Sequence, residues 1–280
     1  MQWHNNGEIQ MKLTNRFNLP EPIVNAVQNQ GYTPGSSDIT VTQLIQPPLI
    51  RQLRIKHDDA IEEDASDRVW ALFGSSVHHL LEMAYKGSTV RREERVYAEV
   101  LGWKLGGAFD VLEGSHLSDY KVTSVFAASG KIEWERQLNV LRWLLYKNGT
   151  EVTKLSITAI FRDWRPREQQ KNPEYPARPI LTLPIRMWTL DEAEAYVQER
   201  IALHQLSEPP MCNDEERWTT PEQWALMKKS GKRAIKLYPS QEGVTLGTDQ
   251  FWEHRPATYR RCEDYCSVNK FCPVWSNVAF

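Results

Sequence analysis

Apolar residues recur at helical spacing in two stretches of the chain, and a cap marks a third helix. From Asp67 to Tyr85, Val69, Phe73, Val77, Leu80 and Ala84 predict an amphipathic helix with that stripe toward the core. From Lys131 to Gly149, Trp134, Leu138, Leu141 and Leu145 form a second stripe, with Gly149 as the stop. Thr189 and Glu192 make a capping box for a helix running to about Leu206. Period-two or continuous apolar runs predict strands near Arg95–Leu101, Trp103–Leu112, His116–Thr123 and within "VTKLSITAIF". "ILTLPIRMW" reads as an edge strand, because Pro184 cannot donate to a ladder. Asp163 to Pro179 reads as a loop, and "DDAIEEDASD" as a solvated entry to the first helix. The chain divides into an N-terminal extension (1–64), an α/β core (65–211) and a C-terminal region (212–280).

Between the second and third strands stands Glu113-Gly114-Ser115-His116, whose glycine at the first central position suits a type II′ hairpin turn. Pairing Glu113 with His116 sets Asp110 opposite Asp119. Two carboxylates across an antiparallel pair repel, and a divalent cation removes that repulsion. Lys121 shares a strand face with Asp119, while Tyr120 and Val122 take the other. If Tyr120 and Val122 turn to the core, the acid and the amine lie on an open or semi-open surface. A surface ion pair is the alternative reading of those two residues.

Composition bounds the class. The 280 residues are 41% hydrophobic and 25% charged, enough for a sizeable globular core. No apolar run reaches membrane-span length, and "MQWHNNGEIQ" lacks a basic region followed by an apolar stretch. The expectation is a cytoplasmic protein in a reducing compartment, with no membrane partner. A net charge of −2 argues against coating nucleic acid by bulk charge, yet allows a local basic channel. The densest basic segment, "WALMKKSGKRAIKLYP", carries Lys228, Lys229, Lys232, Arg233 and Lys236. It reads either as a solvated helix end or as a wall that tracks DNA phosphates. Trp218 and Trp224 beside it suit base stacking or core packing.

All four cysteines fall late in the chain: Cys212, then Cys262, Cys266 and Cys272. Reducing conditions disfavour disulfides, so the cluster points to a metal centre. Four thiolates suit an iron–sulfur cluster or a structural zinc, and the spacing does not separate the two.

The order helix, acid-bearing meander, helix, strand resembles the RecB-type nucleases of the PD-(D/E)xK superfamily, in four motifs over roughly residues 70 to 146. "GSSVHHLLE" matches a G-x-x-x-H helix through Gly74 and His78, and "GGAFDV" a strand ending in a metal-binding Asp110. "LSDYK" matches the acid-x-lysine strand through Asp119 and Lys121, and "RQLNVLRWLL" the Q-x-x-x-Y helix through Gln137. Leu141 stands where that helix usually has tyrosine. The resemblance implies a restriction-endonuclease-like core, a central mixed sheet flanked by helices, with a cysteine-tethered C-terminal region. It implies metal-dependent deoxyribonuclease activity, with Mg²⁺ or Mn²⁺ on His78, Asp110, Asp119 and the Tyr120 carbonyl. Lys121 and Gln137 would orient water or substrate. His79 reads as a bystander, and Glu82 as a support one turn beyond His78.

Among these relatives, AddB-type and CRISPR-associated exonucleases carry a [4Fe–4S] cluster on three late cysteines and one before the core. Here the fourth, Cys212, follows the core. The resemblance thus favours a cluster on Cys212, Cys262, Cys266 and Cys272 over zinc. The implied role is exonucleolytic action on DNA ends or single strands in recombination, repair or viral DNA processing. The implied partners are DNA and a helicase or recombination protein, and a phage origin fits. The alternatives are a non-catalytic DNA-binding or assembly protein on the same fold, or a sequence-specific endonuclease.

Overall fold

A computed structural model describes residues 12–28, 35–85 and 89–275. The opening decapeptide therefore lies outside the described residues. The N-terminal part supplies β1 (Lys12–Thr14), α1 (Glu21–Gln28), β2 (Ile39–Thr40), α2 (Val41–Leu44), α3 (Pro48–Lys56) and β3 (Glu62–Asp64). Helix α4 (Val69–Ala84) leads into β4 (Val90–Val100), β5 (Trp103–Glu113) and β6 (His116–Thr123). Then come α5 (Ile132–Lys147), β7 (Lys154–Phe161), α6 (Pro166–Lys171), β8 (Ile180–Pro184) and α7 (Leu190–Gln205). The C-terminal part holds α8 (Asp214–Arg217), β9 (Thr219–Thr220), β10 (Gln223–Lys228), β11 (Ala234–Tyr238), β12 (Gln250–Arg255) and β13 (Thr258–Tyr259).

The centre is a mixed six-stranded sheet flanked by helices. β5 is its spine: β4 pairs antiparallel along one edge, while β2 (parallel) and β6 (antiparallel) share the other. β6 and β7 are parallel, as a strand–helix–strand crossover through α5 requires. β8 pairs with β7 alone and forms an edge, with Pro184 at its last position. Both hairpin turns follow local backbone chemistry. Leu101 and Gly102 both take positive φ, as a type I′ turn requires, whereas between β5 and β6 only Gly114 does, as in type II′.

The main core lies between this sheet, α5 and α7. Trp134, Leu138, Leu141 and Leu145 are all buried there, and Gly149 ends α5 at φ +74°. A Cβ on Gly107 would stand 2.6 Å from both Leu141 Cδ2 and Val41 Cγ2, so the second glycine of "GGAFDV" lets α5 and α2 close on β5.

Several sequence-level expectations are corrected. Helix α4 has no buried residue: Phe73 is 44% and Leu80 65% exposed. Its sheet-facing edge is the one carrying His78 and Tyr85, which are seven residues and so two turns apart. The apolar stripe is therefore turned aside rather than inward. The acidic run is no solvated entry either. Asp64 is buried, accepts hydrogen bonds from Thr14, Arg16 and Ser66, and sits on β3, which pairs in parallel with β1. The 163–179 loop contains the short helix α6. The basic segment forms the hairpin β10–β11 of a separate three-stranded sheet, not a helix end.

A second, smaller core joins the two ends of the chain. Leu49, Ile50, Leu53 and Ile61 pack with Val268 and with Cys212, Cys266, Phe271 and Cys272. His57 stacks on Phe271 at 4.2 Å, and Arg54 donates to Ser267 Oγ. The N-terminal segment thus serves both cores, since β2 and α2 belong to the main one.

The glycine geometry gives a paired test. Gly107→Ala should lower unfolding free energy by about 1–3 kcal/mol through overpacking. Gly74→Ala, whose Cβ meets nothing within 4 Å, should raise it by up to about 1 kcal/mol. Urea denaturation followed by circular dichroism measures both.

Candidate metal centre

The β5–β6 ladder runs from Glu113↔His116 through Val111↔Ser118 and stops there. Continued by one step, that register sets Asp110 opposite Asp119. At this point the strands part, and the Tyr120 N–H finds the Asp110 side chain, donating to Oδ2 at 2.9 Å. The parted strands leave room for side chains from α4 and β4. His78 Nδ1 reaches the same Asp110 Oδ2 at 3.1 Å, and its ring meets Tyr120 edge-on. Tyr85, at the C-cap of α4, hydrogen-bonds Tyr120 hydroxyl to hydroxyl at 2.5 Å and fixes the helix against β6.

The third member of the group is Glu93. Along β4, Arg92 pairs with Val111 and Glu94 with Phe109, so Glu93 stands directly opposite Asp110, at the one step where that ladder is interrupted. It takes φ +49°, a left-handed conformation unfavourable for glutamate. Among the described residues, His78, Glu93 and Asp110 are the set whose ligand atoms all lie within 4.8 Å of one another. One imidazole and two carboxylates, partly open to solvent, suit a hard divalent cation with water and phosphate completing its shell.

Asp119 does something other than expected. Leu117, Asp119 and Thr123 form the buried side of β6, Asp119 at 2% exposure, whereas Tyr120 and Val122 are only half-buried. Its carboxylate accepts from Lys121 Nζ at 2.8–2.9 Å. Its Oδ1 takes that hydrogen bond while the buried Oδ2 has none, and Asp119 lies outside the His78–Glu93–Asp110 set. Burial pushes the Asp119 carboxyl up to about 6; Lys121 opposes this and the Asp110 charge adds to it. For Lys121, burial disfavours the ammonium, yet Asp119 and Asp110 together raise its pKa. The lysine is cationic at neutral pH.

The two carboxyls of the group are shifted in opposite directions. Burial works to raise Asp110, but the His78 hydrogen bond, the Lys121 charge and the Tyr120 N–H outweigh it and lower its pKa. The hydrogen bond to Asp110 raises His78. Burial, then Asp110, raises Glu93. Glu82 is not a support for His78; it lies 3.8 Å from His79 on the exposed side of α4. Gln137 is half-buried on α5, with no side-chain hydrogen bond among the described residues. Leu141 is buried in the main core.

The four cysteines line one cavity of about 480 Å³, mouth included, over a floor of Leu49, Ile50 and Leu53. Burial pushes the Cys212 thiol up to about 12 and also raises Cys266, which accepts a hydrogen bond from the Val268 N–H. A tetrahedral zinc with Zn–S of about 2.3 Å holds its sulfurs about 3.8 Å apart. No three of these thiols approach within 4.8 Å of one another.

No protein-family model matches this chain, and neither does any curated protein. Solved structures do match, among them one described as "Crystal structure of SSO0001". It is 18% identical, covers 71% of this chain and 89% of its own, and superposes with a TM-score of 0.48.

Glu93 went unnoticed in the sequence because the strand was expected to begin at Arg95. The available signal was "REER", where adjacent Glu93 and Glu94 break the alternation of a regular strand.

Mn²⁺ titration by calorimetry separates the two acids. Glu93→Gln and Asp110→Asn should each weaken binding by about tenfold or more, by analogy with lost support in metal sites. Asp119→Asn should weaken it less. Normal binding by Glu93→Gln with loss in Asp119→Asn would restore the ligand set expected from the sequence. Because Asp110 holds a proton on His78, Mn²⁺ affinity should fall as pH drops through and below neutrality.

Proposed function

We propose that the protein is a metal-dependent deoxyribonuclease, an exonuclease acting on DNA ends or single strands in recombination, repair or viral DNA processing. The observation that carries this reading is the juxtaposition of the His78–Glu93–Asp110 group with the buried Asp119–Lys121 pair. A ligand cage alone binds a cation. A cage with an immobilised ammonium beside it can also meet a phosphodiester and a water.

The residues divide the work. Mg²⁺ or Mn²⁺ bound there would lower the pKa of a water and offset charge on the phosphate. Lys121 offers N–H donors to the attacking water or to the oxygen on which charge builds. Asp119 holds that lysine in place and keeps it charged, a positioning role. Asp110 links the cage to the backbone of β6 through Tyr120, and the free Gln137 amide suits contact with water or substrate. Lys228, Lys229, Lys232, Arg233 and Lys236 supply phosphate contacts on the β10–β11 hairpin.

Four thiols around one cavity with an apolar floor support a [4Fe–4S] cluster, with a structural zinc as the alternative. Bound there, a cluster would hold the four sulfurs as thiolates and tie the tail to α3. Ligation requires proton loss from Cys212 and Cys266, whose thiols burial otherwise keeps protonated. The Val268 N–H hydrogen bond at Cys266 then favours the thiolate.

Incubation of the purified protein with end-labelled single- and double-stranded DNA tests the activity. Cleavage should require Mg²⁺ or Mn²⁺, stop with chelator, and fall by at least about 10²-fold in Lys121→Ala and Asp110→Asn. Full activity in either variant would overturn the assignment. Anaerobically purified protein should be brown, with about four irons per chain. Serine at Cys212, Cys262, Cys266 or Cys272 should bleach it and expose residues 212–275 to proteolysis. Colourless protein with one zinc per chain would reject the cluster.

A further inference from the structure

Around the C-terminal ends of β6 and β7, the chain exposes aromatic rings next to cations that no acid neutralises. Trp70, in the first turn of α4, is 60% exposed, and Phe126, three residues past the end of β6, is 91% exposed. Single exposed apolar residues are ordinary on a protein surface. Both are tied to the ends of β6 and β7. The Arg162 guanidinium lies over the Trp70 ring at 4.4 Å, and the Arg162 N–H donates to Thr123 at the end of β6. Asp163 accepts the Val125 N–H and so pins the turn that carries Phe126.

Charge adds to this. Arg162, Arg165 and Arg167 are exposed and enter no ion pair among the described residues. The nearby acid Asp163 is spent on the backbone, and Glu168 faces Lys171. Along α4, His78 follows Trp70 by eight residues, about 12 Å of axis. Rings and guanidinium therefore stand a few nucleotides' reach from the metal ligands, on the helix that delivers one of them.

We propose that Trp70, Phe126 and Arg162 form a stacking platform for the single-stranded stretch of DNA next to the scissile bond. The inference rests on the nuclease reading and specifies how substrate is received. Exposed rings stack on bases whatever their identity, and a neighbouring guanidinium adds phosphate contact and cation–π attraction. Bases within a duplex are already stacked on one another, so the platform discriminates for unpaired strand without reading sequence. It also gives the solvent-facing rings of α4 and of the turn after β6 an occupant that complements both their apolar faces and the surrounding positive charge.

Fluorescence anisotropy with labelled oligothymidylate and with a duplex of equal length, in chelator and at fixed salt, tests the platform. Wild-type protein should prefer the single strand. Trp70→Ala, Phe126→Ala and also Trp70→Leu should each weaken single-strand binding by about fivefold or more, because leucine has no π-face. Duplex binding should change little. Arg162→Gln should weaken binding and lower the salt slope by about one ion. Mn²⁺ affinity, read by calorimetry, should stay at the wild-type value in all four variants and so report an intact site. Unchanged single-strand affinity in Trp70→Ala and Phe126→Ala would overturn the platform. So would full rescue by Trp70→Leu, or a shift in sedimentation showing that these rings join two copies of the chain. Wild-type protein that cleaves no DNA with Mn²⁺, yet shows the predicted binding pattern, would overturn the nuclease reading and leave the platform standing.

Discussion

Where β5 and β6 separate, one backbone N–H must find a partner outside the ladder, and Asp110 provides it. That hydrogen bond to Tyr120 organises the rest of the centre. It draws the carboxylate across the gap, within reach of His78 from α4 and of Glu93 from β4. It also keeps Asp110 ionised despite burial, together with His78 and Lys121. A regular ladder through residues 110 and 119 would satisfy the backbone equally well. It would leave two acids facing each other with nothing between them. The local departure from regular pairing is what turns a structural hairpin into a place for a cation.

Much of the frame was legible. Helix α5 declares itself because its apolar positions keep a 3.6-residue period on one face and Gly149 stops it; all four stripe residues are buried. The β5–β6 register followed from a single turn, since glycine at the first central position leaves one comfortable pairing of Glu113 with His116. Alternation on β6 showed that Asp119 and Lys121 share a face. It could not show which face is covered, and the covered one proved to be theirs. Helix α4 misled because apolar residues occupy most of its circumference, and only the contacts of His78 and Tyr85 fix its rotation. Glu93 was hidden because a positive-φ position held by glutamate carries no glycine or asparagine to mark it. The basic segment was misjudged because lysines around Ser230-Gly231 suit a helix end as readily as a hairpin turn.

The two neighbouring ionic systems differ in what each asks of its surroundings. Asp119 and Lys121 neutralise one another, which offsets part of the cost of burying two charges, and removing either partner strands the other. The His78–Glu93–Asp110 group has one imidazole for two carboxylates, and burial raises Glu93 while Asp110 stays ionised. Such an imbalance, placed beside a neutral pair, concentrates negative potential at one spot rather than spreading it over the hairpin. The surrounding fold supports this with close packing elsewhere, as at Gly107 against Leu141 and Val41.

The second core has a consequence for the order in which the chain acquires its structure. Its contacts join Arg54 to Ser267 and Lys270 to Ala60, separations of 213 and 210 residues. Closing so long a loop costs configurational entropy that local contacts do not repay until both ends are present. During synthesis, the apolar side of α3, with Leu49, Ile50 and Leu53, emerges early and waits for its partner. Three of the four thiols follow Leu53 by more than 200 residues (Cys262, Cys266 and Cys272). This core, and any inorganic centre within it, is therefore completed after the main sheet has formed. The cysteines act as a latch on a finished molecule rather than as a seed for it.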